Sequence, residues 1–170
     1  NLYAEIDISN SLNYRMNYGS DYQKYRRGLF QGSLSSARQY STPRALKNHE
    51  ENFTYTFENI LNYSKEFNEN NILKATGLFS VQESNYETSI IDVEGLPYEH
   101  QLFHNLETAE TVLDYDSDLQ KWGIMSFMGR VNYELMDKYL LTLTGRYDGS
   151  SSLSEGKKWG FFPSVAFLWR

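Results

Sequence analysis

The chain contains no cysteine, only three prolines, and no run of apolar residues long enough to form a transmembrane helix. A helix that crosses a bilayer needs about 20 apolar residues in succession, so helical spans are excluded. The absence of cysteine also removes the thiol as a nucleophile, and no G-x-S-x-G motif presents a serine in its place. Basic residues are outnumbered, 16 against 22 acidic ones, and the resulting net charge of −6 argues against nucleic acid as a partner.

What the sequence has in abundance is aromatic residues, 16% of the chain, set in patterns of period two. Along residues 127–135 one side carries Phe127, Gly129, Val131, Tyr133 and Leu135, and the other carries Met128, Arg130, Asn132 and Glu134. A dry core would not tolerate unpaired charges at mid-strand. Apolar and polar faces with aromatic residues at the strand ends are typical of a membrane β-barrel with a polar lumen. Apolar and polar residues alternate along such strands, so their hydropathies cancel in the average. The mean hydropathy of −0.61 is therefore compatible with a membrane-spanning wall.

The alternation predicts seven strands joined by alternately short and long connections. We expect strands at residues 2–8, 12–25, 52–63 and 72–84, a fifth from about 120, a sixth after the turn at 136–138, and a seventh from about 159. The stretches 26–51 and 85–118 are predicted loops, the second with a helical turn near 98–106. Short turns in bacterial barrels are periplasmic and long loops are external. The expected fold is therefore all-β, an antiparallel transmembrane β-barrel segment, with residues 1–170 forming part of a single barrel domain.

The residues from 130 to 170, RVNYELMDKYLLTLTGRYDGSSSLSEGKKWGFFPSVAFLWR, also resemble a known family. Their order of R-x-N-Y strand, Y-L-L-T strand, D-G-S-S loop and W-G-x-F-P-S-x-A-x-x-W strand is similar to the late barrel of the SusC/RagA-type TonB-dependent outer-membrane transporters. The YAEI of residues 3–6 and the LNYR of residues 12–15 are similar to a strand pair of the same family. Leu153-Ser154 departs from the family, which often has an aromatic or Arg-Phe pair there, so the resemblance does not assign this loop tip.

This resemblance implies that the chain is part of a larger barrel of about 22 strands in the bacterial outer membrane. The plug domain and the TonB-contacting segment of such transporters are not visible in this chain, and no signal peptide precedes Asn1. The implied function is the import of large nutrients such as oligosaccharides or peptides, not enzymatic catalysis. The implied partners are a SusD-like surface lipoprotein on the external loops, TonB through the missing N-terminal region, and outer-membrane lipid.

The candidate site is the predicted luminal face, where charges of both signs would contact the plug or the ligand. Its members are Arg15, Glu58, Lys74, Arg130, Glu134, Arg146 and Asp148. Asp148 and Gly149 are also predicted to shape the D-G-S-S turn, the carboxylate by accepting from the following backbone amides and the glycine by adopting a positive φ. The predicted membrane-interface aromatic residues are Tyr133, Tyr139, Trp122, Trp159 and Trp169.

Other motifs allow weaker alternatives. Asp114, Asp116 and Asp118 begin like a calcium loop but lack the glycine and glutamate of that motif, so an irregular Ca²⁺ site competes with a plain acidic loop. No other cofactor is expected. His100 and His104 have the spacing of two metal ligands on a helical turn, without an identifiable third ligand. The alternative functions are a passive porin, an outer-membrane enzyme barrel, and a soluble β-sandwich that binds carbohydrate.

Overall fold

A computed structural model describes all residues from Asn1 to Arg170 and consists of seven strands in one sheet. The strands are β1 (Leu2–Ser9), β2 (Leu12–Gln31), β3 (Arg44–Asn68), β4 (Asn71–Glu94), β5 (Thr111–Leu135), β6 (Tyr139–Ser150) and β7 (Trp159–Trp169). Each strand pairs with the next along the chain, in the order β1 to β7. No second sheet packs on this one, so the β-sandwich alternative is wrong.

The short turns lie where the alternation predicted them, and each one is held by hydrogen bonds between residues of the turn. At Met136 and Asp137 both residues have positive φ, 57° and 51°, and the Lys138 amide donates to the Leu135 carbonyl at 3.1 Å. Two positive φ values define the hairpin turn whose twist matches the strands. Between β3 and β4, the Asn68 side chain accepts from the Asn70 amide at 3.1 Å, as in an Asx-turn.

The middle strands are longer than the sequence predicts, and this is the main correction to the expected fold. β2 continues to Gln31, β3 already begins at Arg44, β4 extends to Glu94 and β5 begins at Thr111. Many of the added residues are polar, and polar stretches of this kind predict loops. Pairing with a neighbouring strand satisfies their backbone groups whatever their side chains, so strand context overrides the local signal. The predicted helical turn is confirmed as two 3₁₀ turns, Glu99–Gln101 and Leu106–Thr108.

The chain divides into two compact units. The first, here called the wall unit, comprises Asn1–Asp21, Thr54–Ser84 and Trp122–Arg170. The second, here called the loop unit, comprises Tyr22–Phe53 and Asn85–Lys121, and it contains both of the longest connections, residues 32–43 and 95–110. No helix in the structure has the length and apolar character needed to cross a membrane.

The loop unit contains all the buried hydrophobic residues of the chain: Ala45, Val93 and Leu96. Partly buried Phe30, Ile91, Phe103, Leu106 and Ala109 pack around them. The residues of the 95–110 connection thus cover apolar side chains of β3 and β4. The wall unit has no such core, and most of its large apolar side chains stand exposed on one face of the sheet.

Candidate functional site: the polar face of the wall unit

Strand register determines which side chains of the wall unit share a face. On β5 and β6, Arg130 pairs with Thr144, Asn132 with Thr142, and Met128 with Arg146. Directly paired residues point to the same side of a sheet, and residues two apart on one strand do the same. Even-numbered residues of β5 and β6 therefore form one face, here called the polar face, and odd-numbered residues form the opposite, apolar face.

The other strands of the wall unit extend the polar face. On β1 and β2, Glu5 pairs with Arg15, and the Asn17 amide donates to Glu58 of β3 at 3.1 Å. Thr76 of β4 donates to Asn62 of β3 at 3.0 Å, which places Lys74 on the same side. The structure thus brings all seven predicted luminal residues to one face: Arg15, Glu58, Lys74, Arg130, Glu134, Arg146 and Asp148.

Charges on the polar face are mostly engaged with neighbours in the wall itself. The Arg146 Nε donates to both carboxylate oxygens of Asp148 at 2.8 Å, and its Nη2 donates to the Ser126 hydroxyl at 3.2 Å. The Arg130 Nε donates to the Thr144 hydroxyl at 3.3 Å. A guanidinium group has five N–H donors, so these bonds use only part of the donor capacity of Arg146 and Arg130.

A second polar network lies at β1, β2 and β3. Asn13 donates to Glu5 and Asp7, both at 2.9 Å, and Arg15 donates to Asn17 at 2.9 Å. The Arg15 guanidinium also lies 5.0 Å from the centre of the Tyr3 ring, within cation–π range. A cleft of about 480 Å³ opens beside Tyr3, Arg15 and Asn17, next to Thr54, Thr56 and Glu58. Aromatic and charged groups at one cleft can bind a ligand that has both apolar and polar parts.

The structure corrects the predicted role of Asp148 and Gly149 in the turn. Both residues belong to β6, and the Asp148 carboxylate accepts from Arg146 instead of the amides that follow it. The Ser150 hydroxyl accepts from the Ser152 amide at 3.3 Å, so the turn begins two residues later than expected. Gly149 has no positive φ; its role is close approach, because a Cβ there would lie 2.7 Å from the Trp159 ring.

Aromatic side chains form bands at both ends of the apolar face. Trp159 stacks on Tyr147 with ring centres 4.7 Å apart, and Tyr139 stacks on Phe167 at 6.2 Å. Trp169 pairs with Tyr139 and Trp159 with Gly149, so the two tryptophans are ten residues apart on β7. At about 3.3 Å per residue and a tilt of about 40°, this separation spans roughly 25 Å, the height of the apolar band of an outer-membrane barrel.

Four of the five predicted interface aromatic residues lie on the apolar face: Tyr133, Tyr139, Trp159 and Trp169. Trp122 is the exception. It lies an even number of residues before Ser126 on β5, so the pleat places it on the polar face. Gly123 next to it faces Glu83, on the apolar side, which agrees with this assignment. The assignment of Trp122 to the interface was therefore wrong.

The two possible metal sites required a calcium-type loop and a single helical turn with both histidines, and the structure has neither. Asp114, Asp116 and Asp118 lie on strand β5 instead of in a loop, so neighbouring Cα atoms of the set are about 6.6 Å apart and the side chains do not wrap around a cation. His100 lies in the first 3₁₀ turn and His104 lies outside both, with Leu102 at a φ of 54° between them, so the two histidines do not share one helical turn. No group of three His, Asp or Glu side chains in the structure could hold a metal ion.

The loop unit contains ion pairs that sequence reasoning missed. Arg44 bonds both oxygens of the buried Asp92, the Nε at 2.8 Å, and Arg38 bonds Glu94 at 2.7 Å. The carboxylate partner raises the pKa of Arg44. These partners are 48 and 56 residues apart, so only strand pairing and loop closure bring them together. No local signal in the sequence could have identified them.

Glu51 and Glu99 organise two further contacts in the loop unit. The pKa of Glu51 is lowered to about 2. The hydrogen bond from Lys24 contributes most to this shift, and the one from His49 contributes next. Glu99 accepts from both the amide and the hydroxyl of Ser33, at 2.9 and 2.6 Å, and these bonds lower its pKa. The two longest connections are thereby joined at Ser33 and Glu99.

Together, a single antiparallel sheet, a hydrogen-bonded polar face and an apolar face bordered by aromatic bands define a wall segment of a transmembrane β-barrel. No protein-family model matches the chain. Among curated proteins it is 30% identical over 169 residues to the TonB-dependent receptor P3 of Formosa agariphila, covering 99% of the chain and 17% of that receptor. It is 39% identical over 114 residues to the receptor P26 of the same organism, covering 66% of the chain and 12% of that receptor.

One further sequence relative and one solved structure indicate which TonB-dependent receptors the chain resembles. The TonB-dependent receptor SusC of Bacteroides thetaiotaomicron is 49% identical over 47 residues, which cover 28% of the chain and 5% of SusC. The solved structure of the RagAB peptide transporter superposes with a TM-score of 0.90 at 17% identity, over 98% of the chain and 19% of the solved one. The chain belongs to the SusC/RagA-type TonB-dependent receptors, and it corresponds to part of their barrel.

Proposed function

We propose that this chain forms part of the wall of an outer-membrane transporter that imports large nutrients, oligosaccharides or peptides, with energy delivered through TonB. The observation that carries the proposal is the polar face with all seven charged residues on one side of the sheet. Four of them are cationic and three anionic, a mixture that suits contact with a plug or a large polar ligand better than a single-sign ion pore. The similarity to RagAB, which is a peptide transporter, supports peptides as one ligand class.

In this proposal the apolar face contacts outer-membrane lipid and the polar face borders the lumen. The short turns at Asn10, Asn70 and Asp137 are periplasmic, and the connections that contain Ser33, Leu102 and Ser152 are external. A SusD-like lipoprotein then binds the external connections, while TonB acts through the plug-bearing part of the receptor. SusC and RagAB among the relatives support this partner assignment.

The topology is tested by single cysteines placed in the complete receptor, which is straightforward in this segment because it contains none. A membrane-impermeant thiol reagent added to intact cells should label cysteines at Ser33, Leu102 and Ser152. Cysteines at Asn10, Asn70 and Asp137 should react only after the outer membrane is opened. Labelling of the second set alone in intact cells would show that the barrel is inserted the other way round.

Transport is tested with Arg146→Ala in the complete receptor, with Lys65→Ala as a control that removes a positive charge from the opposite, apolar face of β3. Uptake of a nutrient by Arg146→Ala cells should fall at equal surface abundance, and uptake by the control should not. If Arg146→Ala lowers only the amount of folded receptor, then Arg146 merely pairs with Asp148 and Ser126 and has no role in uptake.

A further inference from the structure

The loop unit contains a cavity of about 570 Å³ whose lining is strongly cationic. Five of its lining residues are basic and none is acidic: Arg26, Arg27, Lys47, His49 and His104. This concentration runs against the composition of the chain, which has six more acidic than basic residues. The positive charge of the cavity lining is therefore opposite in sign to the net charge of the chain.

Arg26, Arg27 and Lys47 form no ion pair in the structure. The carboxylates of the loop unit that do pair are bound to other cations: Glu51 to Lys24, Glu94 to Arg38 and Asp92 to Arg44. Glu51 and Glu87 line a separate, smaller cavity of about 150 Å³, and His49 lies between the two spaces with its Nε2 at 2.8 Å from Glu51. Like charges around one space repel each other, and a bound anion relieves that repulsion.

The opposite wall of the cavity is aromatic and apolar. The Phe103 ring lies directly on the backbone of β2 at Gly28, where a Cβ would be 2.4 Å from the ring. Phe103 also contacts His104, with ring centres 4.5 Å apart, and Ile91 lies nearby in the lining. Convergent charged groups opposite an apolar wall are the usual composition of a site for an organic ligand with one charged group.

We propose that this cavity binds an oxyanion group, a phosphate, sulfate or carboxylate, carried by an organic molecule. Arg26 and Lys47 bind the oxyanion, because a guanidinium group offers paired donors to such groups and ammonium adds a point charge. Arg26 shares the face of β2 on which Gly28 meets the Phe103 ring, whereas Arg27 points to the opposite face. Phe103 and Ile91 contact the uncharged part of the ligand. The ligand is either the headgroup of a lipid such as lipopolysaccharide or a free anionic nutrient. This proposal does not rest on the transport function.

The test uses the complete receptor in detergent and measures binding of two pairs of probes. One pair is lipopolysaccharide with and without its phosphates, and the other is a sulfated oligosaccharide and its desulfated form. We expect at least one charged probe to bind, and its affinity to fall at least about tenfold in Arg26→Gln/Lys47→Gln. The control Lys121→Gln/Lys157→Gln removes the same charge outside the cavity and should change affinity less than about twofold.

Binding of the phosphorylated lipid alone identifies a headgroup site, and binding of the sulfated oligosaccharide alone identifies a site for a soluble ligand. Both results support the oxyanion pocket. The proposal is overturned if neither charged probe binds, if the uncharged forms bind equally well, or if the control variant loses as much affinity as the cavity variant.

Discussion

The wall unit and the loop unit differ in the exposure of their apolar side chains. In the wall unit, Val165 is 71% exposed and Phe167 is 66% exposed, whereas in the loop unit Val93 is 1% exposed and Leu96 is 4% exposed. A protein in water hides such groups, since burial of a side chain of this size stabilises by about 1.5–3 kcal/mol. The contrast indicates that the loop unit is surrounded by water and that the exposed apolar face of the wall unit is surrounded by an apolar solvent. Lipid outside a barrel supplies that solvent.

The largest expected effect comes from a charge on the apolar face of the wall unit. Leu143→Arg should destabilise the complete receptor by about 2–4 kcal/mol, because Leu143 lies midway along β6 and its side chain would face lipid. Thr142→Arg introduces the same side chain one position earlier, on the polar face, and should be tolerated. Unfolding in liposomes measures both. Equal destabilisation by the two substitutions would contradict the assignment of the faces.

A smaller effect is expected from the core of the loop unit. Leu96→Ala should weaken this unit by about 2 kcal/mol, at the low end for a buried leucine because the core is small. Limited proteolysis of the 95–110 connection in intact cells measures the loss. The control is Leu34→Ala, which removes the same atoms from a residue that is 80% exposed. If the control is cleaved as fast as Leu96→Ala, the loop unit has no core of its own.

The aromatic band of the wall unit provides a third test at about 1 kcal/mol. Gly149→Ala places a methyl group 2.7 Å from the Trp159 ring and should displace it from Tyr147, with the loss of one aromatic pair. Gly129→Ala is the matched control, because nothing lies within 4 Å of a Cβ at that strand position. Thermal unfolding and tryptophan fluorescence should change in the first variant only. Unchanged fluorescence in Gly149→Ala would show that Trp159 is not held by this stack.

The smallest expected effect is the acid response of the loop unit. The folded pKa of Glu51 is about 2, below its ordinary value, so its contacts stabilise above about pH 4.3 and are lost as pH falls toward 2. Pepsin cleavage within residues 22–53 should therefore rise over this interval. Glu51→Gln should lack that component of the rise, since it cannot titrate. An identical pH profile for the two proteins would exclude Glu51 from the acid response.

Much of the wall could be predicted because alternation is a local property. Strand β6 and its partners were located from period-two patterning alone, and the face of Arg130, Glu134, Arg146 and Asp148 follows from counting residues. The extended ends of β2 to β5 could not be predicted in this way. Polar stretches such as residues 44–51 have no pattern that separates a paired strand from a loop, and their pairing depends on partners far away in the chain.

Errors at the candidate site have other origins. Asp148 and Gly149 match a local turn motif, yet Arg146 two residues earlier binds the carboxylate and Trp159 from the next strand occupies the space at the glycine. Trp122 has the composition of an interface residue, but the count of residues along β5 places it on the polar face. Only Trp159 is a neighbour in space that the turn motif could not show. The Arg146–Asp148 pair and the face of Trp122 follow from the spacing of residues along one strand.

By itself, the sequence determined the all-β class, the short turns and the division of the wall into two faces, because side-chain direction along a strand repeats every two residues. Tertiary structure alone decided the lengths of the middle strands, the ion pairs Arg44–Asp92 and Arg38–Glu94, and the cationic cavity beside Phe103. These features join residues tens of positions apart. Their free energy arises only when strand pairing has already brought those residues together.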